Sequence, residues 1–127
     1  MRTWLAVAAF GALGAVARYG MDLGVTRLLP GRFPWAILLV NVLGSFAIGL
    51  LYVLFVDVRP EIAPWIRGGL AIGFLGAFTT FSTFSLATVR MLEADELVLA
   101  AGYVGGSLGA GLAAAWAGLV AGRMLWV

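Results

Sequence analysis

Gly73-Phe74-Leu75-Gly76-Ala77-Phe78-Thr79-Thr80-Phe81-Ser82-Thr83-Phe84-Ser85 is the stretch on which the reading of this chain turns. It lies in an apolar segment from about Trp65 to Met91, yet it sets five hydroxyl side chains into the seven positions from Thr79 to Ser85. Adjacent β-branched Thr79 and Thr80 close to Gly76 weaken a helix, and hydroxyls compete for its backbone hydrogen bonds. The pattern predicts a local break over Gly76 to Thr79. Non-helical backbone at membrane depth is tolerated only where protein or a wet cavity covers it, so the stretch faces protein or water and not lipid. The competing reading is a polar seam that joins neighbouring helices. The phenylalanines favour the first: Phe81 and Phe84 are three apart and share a helical face, with Phe74 and Phe78 one and two turns earlier on nearly the same side. A phenyl ring is positive at its edge, so such edges attract a bare anion without carrying a charge.

Around this stretch the chain reads as an all-α membrane protein. Of its 127 residues 63% are hydrophobic and only 11% charged, an apolar balance soluble domains do not show. A bilayer core takes about 20 apolar residues per helix. Four segments qualify, at about residues 3–29, 35–56, 65–91 and 97–126, and they make a single four-helix transmembrane domain over residues 1–127. The connections Pro30 to Pro34, Asp57 to Pro64 and Leu92 to Glu96 hold all four prolines, which are expected to end helices there.

Lys, His and Cys are absent, which removes disulfides, thiol chemistry, Cys/His metal sites and imidazole relays. A net charge of +2 from eight Arg against six acids is too sparse for nucleic acid. Arg2, the run Leu5 to Leu13 and Ala15-Val16-Ala17 imitate a signal peptide. Cleavage would leave three spans with Arg18 at the new terminus, so the first segment is read as a spanning helix. Trp4, Trp65 and Trp126 fall near one interface and Trp35 near the other, as anchors do. Glycines four apart, at Gly20/Gly24, Gly69/Gly73, Gly102/Gly106, Gly105/Gly109 and Gly118/Gly122, allow close helix approach, within the bundle and across a subunit interface.

Three polar residues, Arg18, Asp22 and Asn41, lie deep in these spans. Arg18 costs several kcal/mol at that depth unless paired or wet. Asp22, one turn on, can neutralise it, or Arg18 can sit in an aqueous vestibule that concentrates anions, and both can hold at once. Asn41, mid-way along the second span, is either interhelical glue or an anion donor, since its amide supplies two N–H groups. Ser45 stands one turn later.

Gly-Phe-Leu-Gly-Ala-Phe-Thr-Thr-Phe-Ser-Thr-Phe resembles the third-helix signature of the Fluc/CrcB fluoride channels. Gly11 to Tyr19, ending Gly-Ala-Val-Ala-Arg-Tyr, and Leu39 to Phe46 resemble two further family blocks, so the likeness covers essentially the whole chain. What it implies is a passive fluoride channel of the cell inner (plasma) membrane that rids the cytoplasm of fluoride. The implied anion path takes Asn41, Phe81 and Phe84, with the neighbouring hydroxyls of Thr80, Ser82 and Thr83 and a fourth-helix track through Tyr103 and Ser107. Gly111 departs from that track by supplying no hydroxyl. Arg18 is implied for the vestibule. The likeness also implies an antiparallel, dual-topology homodimer with two paths, each lined by both subunits. A structural sodium is implied on the dimer axis, held by the backbone oxygens of Gly76 and Thr79.

The arginine count agrees with dual topology. Four spans place Arg2, Arg59, Arg67 and Arg123 on one side and Arg27, Arg32 and Arg90 on the other. Orientation is set by the excess of Lys and Arg on cytoplasmic loops, and four against three is almost none. The alternative function is a small dual-topology proton-coupled exporter, which needs a membrane carboxylate, and Asp22 is the one acid deep enough. A structural subunit would need no hydroxyl cluster beside aromatic rings. An enzyme would need a nucleophile with its base or facing carboxylates, and no such set occurs.

Overall fold

The computed structural model describes residues Met1–Val127 and is helical throughout. Four helices are long and apolar enough to cross a membrane: α1 (Arg2–Leu28), α2 (Trp35–Val58), α3 (Pro64–Glu93) and α4 (Leu97–Trp126), and the protein is a multi-pass membrane protein. Their ends fall within two residues of those read from hydropathy. Pro64 opens α3 at its first turn, where a missing N–H leaves nothing unpaired, instead of closing α2.

Two departures from regular helix accompany the short link between α2 and α3. The end of α2 (Val53–Val58) and the part of α3 that follows its opening α-turn (Gly68–Leu75) are wound with π-type hydrogen bonding. Beyond Leu75, α3 regains one α-turn at Gly76–Phe78, breaks at Thr79 and Thr80, and restarts as Phe81–Glu93. The break is thus near the middle of α3 as expected, but Gly76 itself is helical (φ −63°, ψ −35°). The extended residues are Thr79 (ψ 159°) and Thr80 (φ −150°, ψ 118°).

The bundle is organised as two helix pairs, α2 with α4 and α1 with the first half of α3, and the second half of α3 lies on α4. Each pair is brought together by glycine. A Cβ on Gly49 or Gly118 would overlap the facing backbone at Ala115 or Phe46, and one on Gly14 or Gly73 would overlap Phe74 or Val7. Gly122 receives Val53 and Gly69 receives Phe10. By contrast, Gly20, Gly24, Gly102, Gly105, Gly106 and Gly109 meet nothing within 4 Å in the protomer. One face of α4 is therefore uncovered.

The third connection turns tightly through Asp95, whose φ of 58° suits a short polar side chain. Glu96, just beyond it, forms an ion pair with Arg32, which ties the first connection to the third on one side of the bundle. Next to them Met91, Ala100 and Tyr103 form the buried centre, with Phe33, Ile37, Leu38 and Phe84 packed around it.

Candidate functional site

The break is held open from outside its own helix. In an unbroken α3 the Thr80 amide would return to the Gly76 carbonyl. Here it donates instead to Asn41 Oδ1 (2.8 Å), while Asn41 Nδ2 donates to the Thr80 carbonyl (3.0 Å). Both groups of the Asn41 amide thus grip one residue's backbone, and one N–H of Asn41 is left over. Thr80 is only 7% exposed, so these bonds are shielded from competing water.

The Thr80 side chain then caps the second half of α3. Its Oγ1 accepts from the Thr83 amide (3.2 Å) and shares hydrogen bonds with the hydroxyls of Thr83 (3.0 Å) and Ser82 (3.4 Å). The restarted helix therefore points its N-terminus, with its partial positive charge, at the middle of the membrane. On the other side of the break the consequence is opposite. The Gly76 and Thr79 carbonyls lose the Thr80 and Thr83 amides that would have paired with them, and the end of the first half of α3 is negative. Thr79 secures its own hydroxyl by donating to the Leu75 carbonyl (2.9 Å).

The break also divides the four phenylalanines, which do not share one continuous face. Phe74 and Phe78 stack on each other (centroids 5.9 Å apart), with Phe78 buried. Phe81 and Phe84 form a second, tilted pair (5.7 Å, 40°). Phe84 packs on Tyr103 (5.2 Å), and Phe33 meets Tyr103 edge-on (5.4 Å, 88°), a contact that nothing in the sequence around Phe33 signals. The Tyr103 and Ser107 hydroxyls are buried and make no hydrogen bond, so each keeps a free donor at this depth.

Two recesses meet at the break. A groove of about 490 Å³ is lined by Asn41, Ser45, Thr79, Thr80, Phe81, Phe84, Ser107 and Gly111, among others. A smaller recess of about 250 Å³ holds Arg18, Tyr19, Asp22, Thr80 and Thr83. Thr80 borders both. Arg18 makes no ion pair with Asp22, the ion pairs of the chain being Arg32–Glu96 and Arg59–Glu61. It reaches across instead to the Thr79 carbonyl (3.4 Å). The guanidinium thus lines the recess without a direct ion pair, Asp22 lining it as well, and the candidate residues Arg18, Thr80 and Thr83 lie together there. Asn41, Thr80, Phe81, Phe84 and Ser107 lie together in the groove, and Tyr103 sits behind Phe84.

Such a constellation offers neutral donors, ring edges and a helix N-terminus, with one cation at the mouth. It suits a small anion in transit and no bond-making chemistry. Residues 5–119 match a family model described as "CrcB-like protein, Camphor Resistance (CrcB)". The chain is 48% identical over 98% of its length to a "Fluoride-specific ion channel FluC" of Stutzerimonas stutzeri, spanning 99% of that protein. It is 47% identical to the protein of that name from Geobacter sulfurreducens, over 98% of this chain and all of the other. A "Fluoride-specific ion channel FluC 2" of Geobacillus kaustophilus is 40% identical, over 94% and 92% of the two chains. With the family model reaching into all four spans and the relatives matched over nearly the whole chain, the chain belongs to the CrcB family.

Proposed function

We propose that the protein is a passive, fluoride-selective channel that lets fluoride leave the cytoplasm and so protects against its toxicity. The observation that carries this is the near-complete match to relatives named fluoride-specific channels, read together with a broken helix whose N-terminus meets unpaired hydroxyl donors. An anion drawn by Arg18 collects in the smaller recess. From there the Thr80, Ser82 and Thr83 hydroxyls and the start of the second half of α3 replace its water. The edges of Phe81 and Phe84 carry it along the groove to the free donor of Ser107, with the free donor of Tyr103 behind Phe84. Every group beyond Arg18 is neutral, so the ion is held firmly enough to shed water and weakly enough to leave. A membrane negative inside drives it outward by about 2.3 kcal/mol per charge per 100 mV.

The working unit in this reading is an antiparallel, dual-topology homodimer in the inner (plasma) membrane. Three features support it: Phe81 is 78% exposed on the protomer, the glycine face of α4 is uncovered, and the flanking arginines are nearly balanced. A structural sodium fits the end of the first half of α3. The Gly76 and Thr79 carbonyls have lost their helical donors, Gly76 is exposed, and oxygen is the ligand a hard cation takes. There the ion would add its charge to the negative end of this half-helix, where the Arg18 guanidinium already meets the Thr79 carbonyl (3.4 Å).

Purified protein in liposomes should release fluoride and retain chloride. Equal release of both, or of neither, overturns the reading. The exporter alternative needs Asp22 as its proton carrier, so a parent-like fluoride release by Asp22→Asn removes it.

A further inference from the structure

Apart from the Thr80, Ser82 and Thr83 hydroxyls, which bond to one another at the break, two kinds of hydroxyl occur along these helices. Thr79, Ser85 and Thr88 bond back to the carbonyl one turn earlier (2.9, 2.9 and 3.0 Å), which satisfies their donors inside their own helix. Ser107 does not, and its buried oxygen has no partner. Ser45, which lines the same groove, likewise returns no bond to the Asn41 carbonyl four residues before it. A hydroxyl at membrane depth that declines this internal bond keeps a donor for something outside the helix.

Position gives that donor a use. α2 and α4 run side by side, so Ser45 stands one turn beyond Asn41 as Gly111 stands one turn beyond Ser107. The Ser45 oxygen lies 3.7 Å from where a Cβ on Gly111 would stand. Gly111 thus adds no side chain in front of Ser45 in the groove that Ser45 and Ser107 both line.

We infer that Ser45 donates its hydroxyl to the permeating anion, forming with Ser107 a second small-anion subsite that Gly111 keeps open. The inference rests on the channel reading and adds to it a ligand from α2.

Fluoride release should be measured from liposomes holding the parent, Ser45→Ala, Ser45→Thr, or the double variant Ser45→Ala/Gly111→Ser. Losing a hydrogen bond to a charged group predicts release about tenfold slower for Ser45→Ala. Ser45→Thr keeps the hydroxyl and should stay within about twofold of the parent. The double variant puts a hydroxyl back from α4, at a spacing that makes ordinary contact, and should recover most of the loss. A merely structural role for Ser45 would not be met by a hydroxyl on another helix. Ser45→Ala conducting like the parent overturns the subsite and leaves the channel reading intact. A double variant as slow as Ser45→Ala overturns it as well. If the parent itself passes no fluoride, the channel reading falls and the subsite with it.

Discussion

Phe81 is the residue whose surroundings are hardest to account for in a lone protomer. Its ring is 78% exposed at mid-membrane, beside the hydroxyls of Ser82 and Thr83, while its partner Phe84 is held against Tyr103. In the channel reading both rings turn positive edges toward the anion, which isosteric aliphatic groups do not offer. Phe81→Ile and Phe84→Ile keep bulk and apolarity, so each should fold and insert as the parent does yet lower fluoride release by about tenfold or more. Reconstituted efflux checks this. Parent-like rates in both variants would leave the rings as packing residues.

At the scale of the element, the break in α3 is made by α2. Asn41 takes both backbone groups of Thr80, and this determines where the helix stops. Asn41→Leu would leave that N–H and C=O unpaired within the membrane, at a cost of about 2–4 kcal/mol. Equilibrium unfolding in detergent should show the loss, and a variant as stable as the parent would mean that the break needs no clamp. The spans themselves were legible from hydropathy, and the existence of a break from the crowding of Thr79 to Ser85. Its position was displaced toward Gly76 because a side chain from another helix chooses the residue, and local propensity carries no trace of that. The Arg18 contact was hidden for the same reason. Sequence spacing offers Asp22 one turn away, while folding brings up the Thr79 carbonyl from α3. The π-wound stretches at Val53–Val58 and Gly68–Leu75 have no signature in the apolar pattern either.

For the whole molecule, the two helix pairs leave the glycine face of α4 and the exposed Gly76 without cover, which is the surface an isologous partner would share. With arginines divided four to three, a cysteine at the C-terminus should be labelled from outside cells in roughly half of the molecules. Labelling in all or in none defeats dual topology. In the proposed dimer, replacing sodium by a large organic cation should loosen the pairing, as read by the mass of the protein in detergent. A dimer indifferent to the exchange argues against a cation on its axis. Passive movement of fluoride, with no second ion coupled to it, is what the reversal potential of the reconstituted protein measures. A tenfold fluoride gradient at equal pH and equal chloride should set that potential near 59 mV in magnitude, about the value for one freely selected monovalent ion. It should stay at zero when only pH or only chloride differs across the membrane. A reversal potential that tracks the proton or chloride gradient would rule out a passive, fluoride-selective pore.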